Sequence, residues 1–174
     1  MNGREIWTIG HSTHPIGTFL DMLRSFDIQL VVDVRRFPGS RRYPQYNVAP
    51  LEGSLAENAI GLVHLEELGG RRQPLPDSPN DGWRMAQFRG YADHMSTPEF
   101  RSAFDQLKEL ATDKRVAYMC SEAVWWRCHR SLISDLLRSE SWDVQHILGV
   151  NKSDPHPYTK PARIVDGRLV YSKA

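Results

Sequence analysis

Short apolar segments that suit buried strands alternate along this chain with segments whose apolar residues recur at helical spacing. Residues 29–34, QLVVDV, are apolar enough to be covered on both faces, as is typical of a strand inside a parallel sheet. The i, i+3, i+4, i+7 spacing of an amphipathic helix is found at Ile16, Phe19, Leu20 and Leu23. This alternation predicts an α/β fold in three layers, with a mainly parallel sheet and helices on both of its faces.

The same patterns predict where the elements lie. Strands are predicted at residues 5–9, 29–34, 62–65, 115–120 and 143–148. Helices are predicted after Pro15, near residues 51–59, from Thr97-Pro98 and over residues 128–138. Residues 66–95 are predicted to be a long connection without regular structure, because they contain RRQPLPDSPNDG. A linker at 155–161 then leads to a C-terminal β-hairpin around Asp166-Gly167.

Length and composition predict one cytoplasmic domain. A chain of 174 residues fits a single domain, here a core at 1–150 followed by a linker and hairpin at 151–174. No apolar run approaches the ~20 residues that cross a bilayer, and the N-terminus does not resemble a signal peptide. Two cysteines are too few for a disulfide framework, so both are predicted to be thiols in a reducing compartment.

The predicted fold brings four loops to one edge of the sheet, because ligands of parallel sheets bind outside the carboxyl ends of the strands. These loops are GHSTH, DVRRFPGSRRYPQY, HLEELGGRRQ and CSEAVWWRCHR, and arginines are concentrated in and beside them. The net charge of +1 argues against a generic polyanion binder. Arginine, however, grips phosphate or carboxylate with a planar fork. An anion-binding cleft is therefore predicted at this edge.

The segment CSEAVWWRCHR contains the most suggestive chemistry. Cys120 is predicted to end a strand and Cys128 to begin a helix, where backbone N–H groups with Arg127 and Arg130 would bind an anion. Such surroundings lower a thiol pKa and make it nucleophilic. The spacing does not match the phosphatase loop, which needs an arginine at the position of Trp126. Inert packing of either thiol is the alternative.

Of the two thiols, Cys120 is expected to be the more reactive, because Cys128 shares a buried helical stripe with Leu132 and Leu136. His11, His129 and Glu122 are the candidates for acid–base work beside the cysteines. These residues include metal-ligand types, but no CxxC, HxH or HExxH spacing occurs, and no metal or cofactor is predicted.

The remaining candidates would bind the ligand. Arg35, Arg41, Arg127 and Arg130 would clamp its anionic group. Asp33, at a strand end, is expected to orient Arg35 or a histidine. Ser12 either contacts the ligand or caps the following helix. Trp125 either stacks on a base or aromatic ligand or packs in the core.

Read in chain order, the motifs TIGHS, DVRRFPGSRR, HLEELGGRR and CSEAVWWRCHRSLI resemble the family called domain of unknown function 488. The matching positions are Gly10, His11, Ser12, Asp33, Arg35, Pro38, Ser40, Arg41, Cys120, Glu122, Cys128, His129 and Arg130. The resemblance implies a compact α/β domain and no particular reaction. The DVR motif followed by a cysteine at a strand end also resembles rhodanese-like domains, at the level of the fold.

Two functions remain open on these residues. The first is an enzyme whose cleft holds an anionic, phosphate-bearing small molecule, with Cys/His/Glu chemistry on a phosphate or thiol substrate. The second is a nucleic-acid binding or processing module, in which arginines contact phosphates and Trp125 or Tyr43 stacks on bases. No membrane partner is expected.

Overall fold

The computed structural model describes residues 4–173 and contains a six-stranded, mainly parallel sheet. The strands of the sheet are β1 (Glu5–Gly10), β2 (Leu30–Asp33), β3 (Gly61–His64), β4 (Val116–Cys120), β5 (Asp143–Gly149) and β6 (Lys152–Pro155). Their order across the sheet is β3-β2-β4-β1-β5-β6, and only β6 pairs antiparallel, with β5. Strands β7 (Arg163–Val165) and β8 (Arg168–Val170) form a separate hairpin.

Five α-helices within residues 4–173 cover both faces of the sheet, which confirms the predicted fold class. The helices are α1 (Ile16–Ser25), α2 (Val48–Ala56), α3 (Ala86–His94), α4 (Pro98–Asp113) and α5 (Arg130–Ser139). Alternate residues of β1 face opposite ways, because side chains of a strand alternate between its two faces. Ile6 packs in a core with α3, α4 and α5, whereas Trp7 packs in a second core with α1 and α2.

Two local signals in the sequence lead to the observed elements. Thr97 accepts a hydrogen bond from the backbone N–H of Phe100 at 3.2 Å, so it caps α4 as predicted. Asp166 and Gly167 both have positive φ, at 52° and 76°, as the first and second turn residues of the hairpin require.

The secondary structure differs from the prediction in three places: one helix and one strand were not predicted, and one helix begins later than predicted. Helix α3 lies inside the connection predicted to be irregular, where Phe88 and Tyr91 bury their rings in the core although the helix has few other apolar residues. Strand β6 lies at the start of residues 151–174, which were predicted to hold only a linker and the hairpin, and its polar sequence KSDP fits an edge strand that ends in Pro155. Helix α5 begins at Arg130, so Cys128 and His129 precede it in a turn.

The central strands continue to pair beyond their ends. The backbone N–H of His11 donates to the carbonyl of Cys120 and that of Ser12 to Ser121, both at 2.9 Å. The loop after β4 then crosses directly over Gly10. A Cβ atom at Gly10 would lie 1.6 Å from the carbonyl oxygen of Glu122, so glycine is the residue that fits there.

Gly10→Ala should therefore lower the free energy of unfolding by ~1–3 kcal/mol or more, because the added methyl group must displace the backbone of the β4–α5 loop. The matched control is Gly53→Ala in the exposed middle of α2, where an added Cβ has no neighbour within 4 Å. That change should raise the free energy of unfolding by about 0.5–1 kcal/mol. Urea denaturation of both variants tests this, and a neutral Gly10→Ala would contradict the close approach of the loop.

Candidate functional site

A pocket of about 470 Å³ opens at the carboxyl edge of the sheet, where the loops after β1, β2 and β4 meet residues 70–71 and α3. All four loops that the sequence directs to this edge contribute to its wall. Seven of the residues predicted from the sequence line it: His11, Arg35, Cys120, Glu122, Arg127, Cys128 and His129. The fold therefore assembles residues more than a hundred positions apart in the chain around one cavity.

The two cysteines lie together in the wall of this pocket. Both are free thiols, their sulfur atoms are 2.8 Å apart, and Cys120 is 2% and Cys128 6% exposed. Burial raises the pKa of Cys120 well above its ordinary value, and the hydrogen bond with Cys128 raises it further. Burial also raises the pKa of Cys128, but hydrogen bonds from Cys120 and Arg130 and the Arg130 charge outweigh it and lower that pKa to about 7. The structure therefore favours Cys128, not Cys120, as the thiolate.

The charge beside both thiols is that of Arg130, whose side chain is only 1% exposed. Its guanidinium donates to Thr8 Oγ1 at 2.9 Å and to the carbonyl of Glu122 at 2.7 Å, while its Nε has no hydrogen-bond partner. Its backbone N–H points at the sulfur of Cys128 at 3.4 Å. Among residues 4–173 no carboxylate forms an ion pair with Arg130. A buried cation favours an anion beside it, and the Arg130 charge acts on both thiols, whereas its backbone N–H points at Cys128.

A chain of hydrogen bonds leads from Arg130 through the interior. Arg130 donates to Thr8, the Thr8 hydroxyl to His146 Nδ1 at 2.6 Å, His146 Nε2 to His156 Nδ1 at 2.8 Å, and His156 Nε2 to Asp135 at 2.8 Å. This direction follows because a guanidinium can only donate and a carboxylate can only accept. We call this chain the buried relay. Burial and the nearby His156 and Arg130 lower the pKa of His146 to about 2, so its ring stays neutral.

His129 presents a free nitrogen to the thiols. Its Nε2 donates to the carbonyl of Val34 at 2.8 Å, which leaves the Nδ1 lone pair 3.6 Å from the sulfur of Cys128. Burial lowers the pKa of this imidazole, so it is a neutral proton acceptor near pH 7. The backbone at Gly70 lies close above it, since a Cβ there would be 3.0 Å from Nδ1. Gly69 is in turn packed against the backbone of Arg36. The two glycines of ELGG therefore allow close packing against Arg36 and His129.

His11 and Arg35 form a rigid wall of the pocket. Arg35 makes a bidentate ion pair with the buried Asp33, at 2.9 and 2.8 Å, and donates to the carbonyl of Tyr46 at 2.8 Å. Nδ1 of His11 donates to the carbonyl of Ser12, its Nε2 faces Arg35 at 3.4 Å, and its ring stacks on Tyr46. Burial above all, aided by Arg35, lowers the pKa of His11 to about 4. Asp33 orients Arg35 as expected, and His11 is neutral.

The mouth of the pocket is positively charged. Arg36, Arg42, Arg71 and Arg127 line it, with Glu122 as the acidic residue among them. Phe37 is 59% exposed, and the guanidinium carbons of Arg36 and Arg71 lie 5.2 and 5.6 Å from its ring centre. We call these four arginines the arginine rim. The loop that presents Arg42 is held by Ser40, whose hydroxyl accepts the backbone N–H groups of Arg42 and Tyr43.

The other predicted site residues lie outside the pocket lining. Asp33 and Arg130 are buried behind it, and Arg41 is exposed beyond it. Ser12 has a positive φ of 47° and does not cap α1, which is preceded by Pro15. Trp125 stacks on His146 with ring centres 4.5 Å apart, so it packs against the buried relay.

Several pocket residues were not predicted to be ligand contacts. Arg42 and Phe37 belong to a loop whose arginines and aromatic residues resemble a nucleic-acid or nucleotide-binding surface, and Arg71 to another arginine-rich loop, but the sequence does not single them out as contacts of a small ligand. Tyr91, whose hydroxyl donates to the carbonyl of Leu68 at 2.7 Å, was missed because helix α3 was missed. The RR pairs in both loops are the available signal, but no pattern tells which arginine of a pair faces the pocket, since it is the second in Arg41-Arg42 and the first in Arg71-Arg72.

A sheet of this kind, with a paired-thiol pocket at the carboxyl ends of its strands, defines an α/β domain with a cysteine-containing cleft. Residues 15–137 match the family described as domain of unknown function DUF488, and the chain belongs to this family. The match includes both cysteines, Asp33, Arg35 and Arg130, whereas Gly10 to Ser12 precede it. No curated protein and no solved structure matches the chain.

Two further properties were considered for the part of the chain that the structure describes. Within residues 4–173 no helix has the length and apolar character that crossing a membrane requires. Over the same residues no three side chains of His, Cys, Asp or Glu lie together in a way that could hold a metal ion.

The buried histidines predict a loss of stability in acid. The folded pKa of His11 is about 4 and that of His146 about 2, below the ordinary 6.5, so the unfolded chain binds these protons first. The contribution of the two neutral histidines to the free energy of unfolding is therefore fully present above about pH 6.5, and it is lost as the pH falls below that value. Below about pH 6.5 we expect each histidine to lower the free energy of unfolding by up to ~1.4 kcal/mol for each pH unit.

Urea denaturation between about pH 7 and pH 5 measures this slope in a range where ordinary carboxylates change little. The His146→Asn variant, whatever its absolute stability, should show a shallower slope than the wild type. A free energy of unfolding that stays constant over this range would contradict the neutral, buried state of these rings.

Proposed function

We propose that this protein is a thiol-dependent enzyme that acts on an anionic small molecule in the pocket, with Cys128 as the nucleophile. The observation that carries the proposal is the environment of the Cys128 sulfur. It lies in the pocket wall, 2.8 Å from the Cys120 sulfur and 3.4 Å from the backbone N–H of Arg130, beside a guanidinium without a carboxylate partner. A thiolate held in this way is stabilised yet reachable, as a nucleophilic cysteine must be.

His129 is the proposed proton acceptor for Cys128. Its Nδ1 lone pair lies 3.6 Å from the sulfur, and its Nε2–H is committed to the carbonyl of Val34. That second hydrogen bond fixes the tautomer, so a proton that leaves Cys128 can only be received at Nδ1. Glu122, an exposed residue in the pocket lining, is the proposed acid–base group on the solvent side.

The proposed ligand is anionic because of the arginine rim. Arg36, Arg42, Arg71 and Arg127 surround the entrance, and Glu122 is the acid that partly offsets them. Guanidinium groups bind phosphate or carboxylate bidentately, and Arg42, Arg71 and Arg127 are exposed and free to do so. The pocket volume of about 470 Å³ suits a small molecule.

Nucleic-acid binding is the second candidate, and it rests on the exposed aromatic residues. Phe37 and Trp126 are 59% and 55% exposed, and arginines flank both of them. Bases stack on such rings while arginines contact phosphates. Binding to a single-stranded oligonucleotide that weakens steeply with salt, and is lost in Phe37→Ala, would favour this candidate.

Alkylation with iodoacetamide tests the nucleophile. We expect Cys128 to label in the native protein with a half-maximal rate near its pKa of about 7, and Cys120 to label far more slowly because its thiol stays protonated. Mass spectrometry of peptides across a pH series reads each cysteine separately. Cys128 that labels only after unfolding would sink thiol catalysis.

The charge of the rim predicts a preference for anionic reagents. Relative to a small free thiol, Cys128 should favour iodoacetate over neutral iodoacetamide, and Arg42→Ala or Arg127→Ala should each lower that ratio by up to about fivefold. The matched control is Arg168→Ala in the exposed hairpin, which removes the same charge at a residue outside the pocket lining. A ratio that falls equally in all three variants would mean that only net charge matters.

A further inference from the structure

Cys120 is not explained by a single nucleophilic thiol. The chain contains two cysteines, and they are contributed by different elements, the end of β4 and the turn before α5. The fold nevertheless places their sulfur atoms 2.8 Å apart in the same pocket wall. A nucleophile for acyl or phosphoryl transfer needs no second thiol in contact with it. Two thiols in contact are what thiol–disulfide exchange requires.

We propose that Cys128 and Cys120 are the attacking and resolving thiols of a two-electron redox couple that reduces an anionic small-molecule disulfide. This inference rests on the proposed function of Cys128 as the nucleophile. It adds the class of reaction and the class of substrate, and it gives Cys120 a chemical role.

The steps balance without any further reactant. The Cys128 thiolate attacks one sulfur of the substrate R–S–S–R′, a Cys128–S–S–R bond forms, the substrate S–S bond breaks, and R′S⁻ leaves. Cys120 then loses its proton to R′S⁻ and attacks the sulfur of Cys128, and RS⁻ leaves and takes up the proton that Cys128 gave to His129 when its thiolate formed. The products are one Cys120–Cys128 disulfide and two thiols, RSH and R′SH. The substrate gains the two electrons that the cysteine pair loses.

The two sulfurs are suited to these separate roles. An attacking thiol works best when its pKa is near the ambient pH, and the pKa of Cys128 is about 7. Cys120 has a raised pKa and remains a protonated thiol that donates to the thiolate until the mixed disulfide forms. Closing the bond from the observed contact needs the sulfurs to approach by only about 0.8 Å.

Arg130 favours the return of the pair to its reduced form. Its buried charge stabilises the Cys128 thiolate, which exists only in the reduced form, so an external thiol readily reduces the Cys120–Cys128 disulfide after turnover. Because the chain has no third cysteine, the disulfide must be returned to thiols by an external thiol. The reaction consumes a disulfide and an external dithiol or two monothiols in each cycle.

The arginine rim defines which disulfides would enter. Arg42, Arg71 and Arg127 present exposed guanidinium groups at the mouth of a small pocket. They would bind carboxylate or phosphate groups carried by the substrate. Dithiobis(nitrobenzoate), a small aromatic disulfide with a carboxylate on each ring, has this chemistry and releases a coloured thiol when it is cleaved.

The experiment mixes the reduced protein with a small excess of dithiobis(nitrobenzoate) near pH 7 and follows the coloured thiol. For the wild type we expect two equivalents of thiol per protein, and a product without adduct in which the peptides of Cys120 and Cys128 are cross-linked. Cys120→Ser should release one equivalent and keep a stable adduct on Cys128. Cys128→Ser should lose the rapid phase.

The outcomes separate this inference from the proposed function. If the wild type releases one equivalent rapidly and keeps a stable adduct on Cys128, Cys128 is a nucleophile but the redox couple is overturned. If the native wild type reacts no faster than a free thiol, both proposals fall. These readouts come from the wild type, so they hold even if Cys120→Ser does not fold.

The substrate class has its own readout in the same assay. Dithiodipyridine is a disulfide of similar size that carries no carboxylates. The rate with dithiobis(nitrobenzoate) relative to dithiodipyridine, each normalised to a small free thiol, should exceed one and fall in Arg42→Ala but not in Arg168→Ala. A ratio that is unchanged by Arg42→Ala would overturn the anionic substrate class. The redox couple would still be tested separately, by the number of thiol equivalents that the wild type releases.

Discussion

The buried guanidinium of Arg130 is the interaction on which the rest of the site depends. It is almost fully removed from water, and its hydrogen bonds reach Thr8 on β1 and the carbonyl of Glu122 in the β4–α5 loop. A charge in such a place must be compensated, since burial of an unpaired ion costs several kcal/mol. In this protein the Cys128 thiol on one side and the buried relay, which ends at Asp135, on the other compensate the positive charge of Arg130. This positive charge favours a thiolate at Cys128.

The buried relay connects this charge to the C-terminal part of the chain. Asp135 accepts hydrogen bonds from His156, from Thr159 and from the hydroxyl of Tyr171, so the segment after β5 closes over the relay. Since each group donates to the next, the dipoles of the relay are aligned between a cation and an anion, which strengthens each bond. The neutral ring of His146, stacked on Trp125, transmits this alignment without carrying charge itself. The tryptophan next to the cysteine loop thus has a structural role.

The proposed activity follows from a division of labour between buried and exposed arginines. Arg35 and Arg130 are committed to protein partners and hold the pocket wall and the thiol pair in place. Arg42, Arg71 and Arg127 are exposed at the mouth and have guanidinium groups available to a ligand. The sequence interpretation assigned clamping roles to Arg35 and Arg130. The sequence does not show whether the partner of a loop arginine is a ligand or a buried group of the protein, so the two kinds of arginine cannot be told apart without the fold.

The sequence alone determined the fold class, the family and the edge of the sheet at which the site lies. Buried strands and amphipathic helices each leave a local periodicity, and the carboxyl ends of parallel strands must share one edge. Helix α3 and strand β6 were missed because their short, polar sequences carry no such period, and long-range packing forms them. Only the tertiary structure decided that Cys120 and Cys128 touch, that the backbone N–H of Arg130 points at Cys128, and that His146, His156 and Asp135 support Arg130. The acidity of a thiol depends on burial and on charges a few ångströms away, and these come from segments that the sequence keeps far apart.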